Sequence, residues 1–226
     1  MKDQPKIAVG IMDRQTEVFG RLDGDFRWDR ARLVSGRFSA KAEAETVMLA
    51  DEANHEICRS RSIRLTGQKE STFSLFKVTV GNRFHWERTE DQAFQGDLIL
   101  WLGKDGTITA INEIPLEDYL KSVISSEVNA AAPMEFLKAH AILSRSWLLA
   151  ALDRKKKEQE GSTPASKTTK KDGEVVRWYD REDHDLFDVC ADDHCQRYQG
   201  ITKIVSEQAE EAVRETGGRV MIYQDQ

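Results

Sequence analysis

The sequence predicts an α+β protein, and three observations carry that expectation. Short runs of alternating apolar and β-branched residues, separated by glycines, fill the first half of the chain. Two segments with a 3.6-residue apolar period follow at 116–127 and 134–152, and a third, shorter helical pattern lies at 206–215.

Residues 6–12, KIAVGIM, read as an opening strand. Further strands are expected at 46–49, 62–65, 73–80, 84–87, 98–102 and 107–111, with turns at Gly24, Gly67, Gly81 and between Gly103 and Gly106. This places a β-rich accessory region over 1–93 and a second region over 94–226, the latter carrying a polar insertion at about 153–177. The stretch 153–171, DRKKKEQEGSTPASKTTKK, has too few apolar residues for a core. It reads as a mobile loop or a charged helix tail, with a basic lip over an anionic polymer as an alternative. The helix at 206–215 is ended by Gly217 and Gly218, and a last strand is expected at 219–223.

The most informative stretch runs from 111 to 152. After Pro115, apolar side chains recur at Leu116, Tyr119, Leu120, Val123 and Ile124, the stripe of an amphipathic helix. The next position on that stripe is Glu127. Burial penalises a charged carboxylate, so a Glu held there is expected to have a raised pKa and to serve as a general acid. The plain alternative is a half-exposed Glu where the helix leaves the core. Pro133 suits the start of a second helix, and Glu135 complements its positive end. That helix runs to about Leu152, with Met134, Leu137, Ala141, Ser144, Leu148 and Ala151 facing inward. Lys138 and Arg145 share a neighbouring face. Antiparallel packing through 129–132 puts them beside Glu127 or against an anionic group of a ligand; otherwise they are solvated helix cations.

Three cysteines, Cys58, Cys190 and Cys195, are too few for a disulfide framework in 226 residues. Cys190 and Cys195 lie in the pattern H-x5-C-x3-H-C, which brings imidazole and thiolate groups into one loop and suits tetrahedral zinc. His184, Cys190 and Cys195 are the expected ligands, His194 an alternative one, and water or substrate completes the shell. A local disulfide or a pair of reduced thiols are the other readings. Asp188, Asp192 and Asp193 read as turn formers, and Cys58 has no obvious partner.

A net charge of −6 and a pI near 5.5 argue against nonspecific nucleic-acid binding as the main task. No apolar run approaches the roughly 18 residues of a membrane span, and MKDQPKIAVG lacks the apolar core of a secretory signal.

The runs PLEDYLKSVISSEV and P-x-E-x-LKAHAILSRSW resemble the SpoIID/LytB domain family of bacterial sporulation and cell-wall proteins, whose pattern reads roughly PLEEYLxGVVxxEM, then P-x-EALKAQAxAARTY. The likeness extends to KIAVGIM, FQGDLILW, HDLFDVCADDHCQRYQGI and AVRETGGRVMIYQ. It implies a lytic transglycosylase acting on peptidoglycan glycan strands, with Glu127 as the catalytic acid and 1,6-anhydromuramic ends as product. It also implies substrate-anchoring or charge-stabilising roles for Lys138 and Arg145, and a zinc site in the Cys190–Cys195 region. The LytB branch supplies the alternative: a noncatalytic peptidoglycan-binding protein that enhances a cell-wall amidase. Either reading implies the cell envelope, in contrast to the missing secretory signal. In the family a further strand and a small-residue-rich segment follow the TGGxVxxY block; this chain stops at Gln226, so a fragment or a truncated domain is expected.

Overall fold

The computed structural model describes residues 4–28, 32–82, 84–129, 131–160, 168–171, 173–177, 184–203 and 206–222. Strands dominate the first half and helices the second, so the protein is α+β. The strands are β1 (Lys6–Gln15), β2 (Glu17–Arg27), β3 (Leu33–Glu43), β4 (Thr46–Asp51), β5 (Glu56–Ser60), β6 (Ser62–Gly67), β7 (Thr72–Val80), β8 (Arg88–Gln95), β9 (Asp97–Leu102) and β10 (Ile108–Pro115). Then come α1 (Leu116–Glu127), α2 (Met134–Gln159), a hairpin of β11 (Thr168–Lys171) and β12 (Glu174–Arg177), the short β13 (Val189–Cys190), a 3-10 turn at Gly200–Lys203, and α3 (Glu207–Glu215).

One sheet runs in the order β13-β1-β10-β9-β6-β2-β3-β4-β5, with β7 paired to β2 and β8 to β7. It crosses the expected boundary at residue 93, because β10 pairs with β1 and β9 with β6. The main buried cluster likewise draws on both sides of that point, from Ile7 and Phe73 to Leu120 and Leu148. Two patterns explain these strands: β7 alternates, burying Phe73 and Leu75 and then, past a break in register, Val78 and Val80, whereas the central β9 and β10 bury almost every side chain.

Four details depart from the sequence reading. Residues 84–87 are the tip of the β7–β8 hairpin, closed by Phe84 N–H on the Gly81 carbonyl and Glu87 N–H on the Phe84 carbonyl, both at 3.0 Å. The spacing F-x-W imitates a strand, but the two rings stack on the same side of a turn. Gly24 sits inside β2, not at a turn; its positive φ of 96° accommodates a break in register between Leu22 and Phe26. Residues 219–222 form no strand. Their backbone is tied to α2 instead, the Arg219 carbonyl by Arg145 and the Met221 N–H by Ser146 Oγ; Tyr223 lies outside the described residues. Finally, α2 continues past Leu152 to Gln159, so the first part of the polar stretch is a charged helix tail. Lys157 and Asp153 pair along it at 2.7 Å, and Lys155 reaches the Phe187 carbonyl and Asp188.

The α1 stripe packs as its period requires, with Leu116, Tyr119, Leu120, Val123 and Ile124 buried. Each such side chain contributes about 1.5–3 kcal/mol on burial, far more than helix propensity supplies. On α2, Leu137, Ala141, Ser144 and Leu148 are buried. Ser206 caps α3 through a 3.2 Å bond from the Ala209 N–H, worth about 1 kcal/mol.

Candidate functional site

Glu127 closes α1. The negative end of the helix dipole lies there, so an acidic side chain in the last turn works against the local field and needs other partners. It has two. Oε1 accepts a hydrogen bond from the Arg197 N–H at 3.1 Å, and Oε2 lies 3.2 Å from His140 Nε2 on α2. The side chain is 27% exposed, and the residue as a whole is exposed because α1 ends there and leaves its backbone open. The carboxyl is therefore at the surface and held, where the stripe alone predicts a buried one. The ring of Phe136, one turn before His140, lies parallel to the imidazole with centroids 6.3 Å apart. His140 Nδ1 is buried and has no hydrogen-bond partner among the described residues.

Lys138 and Arg145 are not beside Glu127. Arg145 is 1% exposed, and its donors point into the protein. Nε and Nη2 bind the two oxygens of Glu117 at 3.0 and 2.6 Å, Nη1 the Arg219 and Ala141 carbonyls, and Nη2 also the Val213 carbonyl. It ties α1, α2 and α3 together. Lys138 pairs with Glu135 at 2.9 Å and Glu215 at 2.7 Å. The helix period explains the difference. Positions 138 and 145 lie on the flank that meets α3, whereas position 140 lies on the flank that meets Glu127.

The loop that supplies Arg197 carries the Cys/His pattern. Its start is fixed by β13, parallel to β1 with Cys190 opposite Gly10. A side chain at Gly10 would collide with the Phe187 ring, since a Cβ there would sit 2.6 Å from it, so the glycine allows this close approach. The end of the loop is fixed by buried polar contacts. Tyr198 Oη donates to Asn112 Oδ1 at 2.6 Å, Tyr119 Oη to Gln196 Oε1 at 3.2 Å, and the Gln199 N–H to Ser122 Oγ at 3.2 Å. The Tyr119 and Tyr198 rings stack at 5.1 Å, and burial raises both phenol pKa values well above the ordinary one, so both hydroxyls remain donors.

Between these anchors, one ligand atom from each of His184, Cys190, His194 and Cys195 lies within 4.8 Å of the others. Cys195 Sγ is 3.4 Å from His184 Nε2 and from His194 Nδ1, and Cys190 Sγ is 3.8 Å from His194 Nδ1. Zn–S bonds of about 2.3 Å and Zn–N bonds of about 2.0–2.1 Å give tetrahedron edges of roughly 3.3–3.8 Å, so the donor set fits zinc. Four donors are gathered where the spacing suggests three and a water. The thiols form no disulfide; the hydrogen bond from Cys195 pulls Cys190 well below the usual thiol range, while the same contact and burial push Cys195 up. Asp188, Asp192 and Asp193 are turned to other work, accepting from the Ala8 and Asn82 N–H groups and from Arg197. Cys58 is buried in β5, at the opposite edge of the sheet from β13.

Sequence reasoning does not single out His140, Arg197, Trp86 or Asn112. His140 carries a signal, being a histidine on the flank of an otherwise apolar stripe; Arg197 acts through its backbone, which leaves none. A concavity bordered by Asp118, Lys121, Ser122 and Tyr198 lies earlier along α1 and touches none of Glu127, His140 or the Cys/His cluster. The chemistry, not the shape, places the candidate site at Glu127.

Residues 104–223, more than half of the chain, match the SpoIID family, described as stage II sporulation protein. The chain belongs to this family. Membership points to a function related to the cell wall, and the matched span contains Glu127, His140 and the whole Cys/His cluster. The β7–β8 hairpin lies outside it. No curated protein and no solved structure matches the chain. Among the described residues, no helix is long and apolar enough to cross a membrane.

Proposed function

We propose that this SpoIID-family protein cleaves peptidoglycan glycan strands as a lytic transglycosylase, with Glu127 as the single acid and base. The observation that carries the reading is the setting of Glu127: a surface carboxyl at a helix end, with a donor or an imidazole on each oxygen. Protonated Glu127 gives its proton to the glycosidic oxygen, and the bond from that oxygen to the muramic C1 breaks. The resulting carboxylate takes the proton of the muramic C6 hydroxyl as its oxygen bonds to C1. The sugar closes to a 1,6-anhydro ring, no water is consumed, and Glu127 ends protonated as it began. Ordinary glycosidases need a second carboxylate for water or a covalent intermediate; here the neighbours of Glu127 are His140 and a backbone N–H. The Arg197 N–H is already placed on the carboxyl, so it needs no reorganisation during the proton transfers.

We also propose zinc bound by His184, Cys190, His194 and Cys195. When bound, the ion supplies folding energy to the loop and keeps its thiolates deprotonated. Arg197 follows Cys195 by two residues, so a fixed loop holds its N–H against Glu127. Roles for Lys138 and Arg145 toward substrate find no support in their contacts; we assign both to holding the helices together.

The test is incubation of the parent and Glu127→Gln chains with peptide-free glycan strands, read by mass spectrometry. Anhydromuramic ends from the parent alone support the reading. Glycan binding without product from the parent favours the noncatalytic, amidase-enhancing alternative.

A further inference from the structure

Each oxygen of the Glu127 carboxyl leads to an exposed phenyl ring. Oε2 faces His140, and the half-exposed Phe136 lies parallel to that imidazole. Oε1 accepts from the Arg197 N–H, and the guanidinium of the same residue stands 4.8 Å from the centre of the Trp86 ring. Phe84, also half exposed, stacks on Trp86 at 5.5 Å. One residue, Arg197, thus spans from the carboxyl to the hairpin tip of the N-terminal strands.

We propose that Phe84 and Phe136 are sugar-stacking platforms that bracket Glu127 along a bound glycan strand, the first supplied by the β7–β8 hairpin and the second by α2. This rests on the reading of Glu127 as the glycan-cleaving carboxyl and adds a binding subsite from outside the family-matched span. A pyranose presents an apolar face of C–H bonds with hydroxyls around its rim. A flat ring with charged groups nearby complements both surfaces: the Arg88 and Arg197 guanidinium groups lie over the Trp86 ring on which Phe84 stacks, and Asp193 pairs with Arg197.

The hairpin platform is built to be rigid. Gly81 has φ of +72°, and a Cβ there would sit 2.2 Å from the Trp86 ring, so the indole lies directly on the backbone of the turn. The tip is pinned to the Cys/His loop by the Asn82 N–H, which donates to Asp192 Oδ2 at 2.7 Å. A ring held in place before binding loses little freedom when a sugar covers it.

The experiment uses the full chain carrying Glu127→Gln, so that binding is read without turnover, and peptide-free glycan oligomers as the titrant in calorimetry. Phe84→Ala and Phe136→Ala each weaken binding by about tenfold, and Phe84→Trp and Phe136→Trp restore it. Both rings are half exposed, so the melting temperature stays that of the parent, and Phe19→Ala, an exposed ring on β2, changes nothing. Unchanged affinity in either alanine variant overturns the assignment for that ring and leaves the reading of Glu127 standing. An effect confined to glycan bearing stem peptides moves the rings to the peptide and overturns the proposal. No glycan binding by the Glu127→Gln chain overturns the proposal and the reading of the site together.

Discussion

Arg145 and Glu117 form a bidentate ion pair between α2 and α1, with Nε to Oε1 at 3.0 Å and Nη2 to Oε2 at 2.6 Å. The guanidinium is enclosed, and its remaining hydrogens reach carbonyls at the end of α3 and beyond it. Removing one partner of such a pair leaves the other charge unpaired, so Arg145→Ala is expected to destabilise the fold by about 3–5 kcal/mol. Arg145→Lys loses most of the same stability, since an ammonium cannot fill the planar fork. Urea unfolding measures both. A stable Arg145→Ala chain with weakened glycan binding would instead return Arg145 to a substrate role.

Glu127→Gln removes the proton carrier but keeps a side chain of the same shape. Product formation should fall by about 10²–10⁴-fold, the contribution of a positioned acid and base, with the melting temperature unchanged. His140→Ala should lower kcat more than it raises KM, because His140 touches the carboxyl and not the strand. The two variants are compared by the yield of anhydromuramic ends under single-turnover conditions.

Protein purified without chelator should carry about one zinc per chain, lost in Cys195→Ser. A chelator should lower the melting temperature and open the 190–199 loop to protease, and Glu127→Gln should keep its metal. Elemental analysis and limited proteolysis decide this; a metal-free chain with full activity and an intact loop would end the zinc proposal.

Glu113 on β10 is paired to Arg64 at 2.7 Å and Lys6 at 3.1 Å across the sheet, and Asp97 joins the same cations. The hydrogen bond from Arg64 is the main cause of a carboxyl held below its ordinary value of 4.5. A depressed folded pKa stabilises above the unfolded value, so this contribution is complete above about pH 4.5 and is lost as pH falls through the folded value. Stability measured against pH should therefore drop on the acid side, and Glu113→Gln should flatten the drop. Arg64 and Lys6 are about half exposed, so salt should weaken the effect.

The sequence by itself determined the α+β class, the start of each helix, the apolar stripes of α1 and α2, and the nearness of His184, Cys190, His194 and Cys195. These follow from periodicity, from Pro115 and Pro133, and from spacing within one short segment, all of which act locally along the chain. Strands such as β2 and β3 are less legible because in β2 the inward position 20 is a glycine and the outward position 19 a phenylalanine, and in β3 Phe38, Ser39 and Ala40 are buried in succession. Only the tertiary structure decided which side chains surround Glu127. His140 reaches it because α2 crosses back past the end of α1, and Arg197 because Tyr198, Gln196 and Gln199 anchor a loop some seventy residues downstream. Arg145 carries the same lesson in reverse. Its place on the helix is legible, but its occupation by Glu117 and three carbonyls depends on how α1, α2 and α3 meet, and that is set by packing between distant segments.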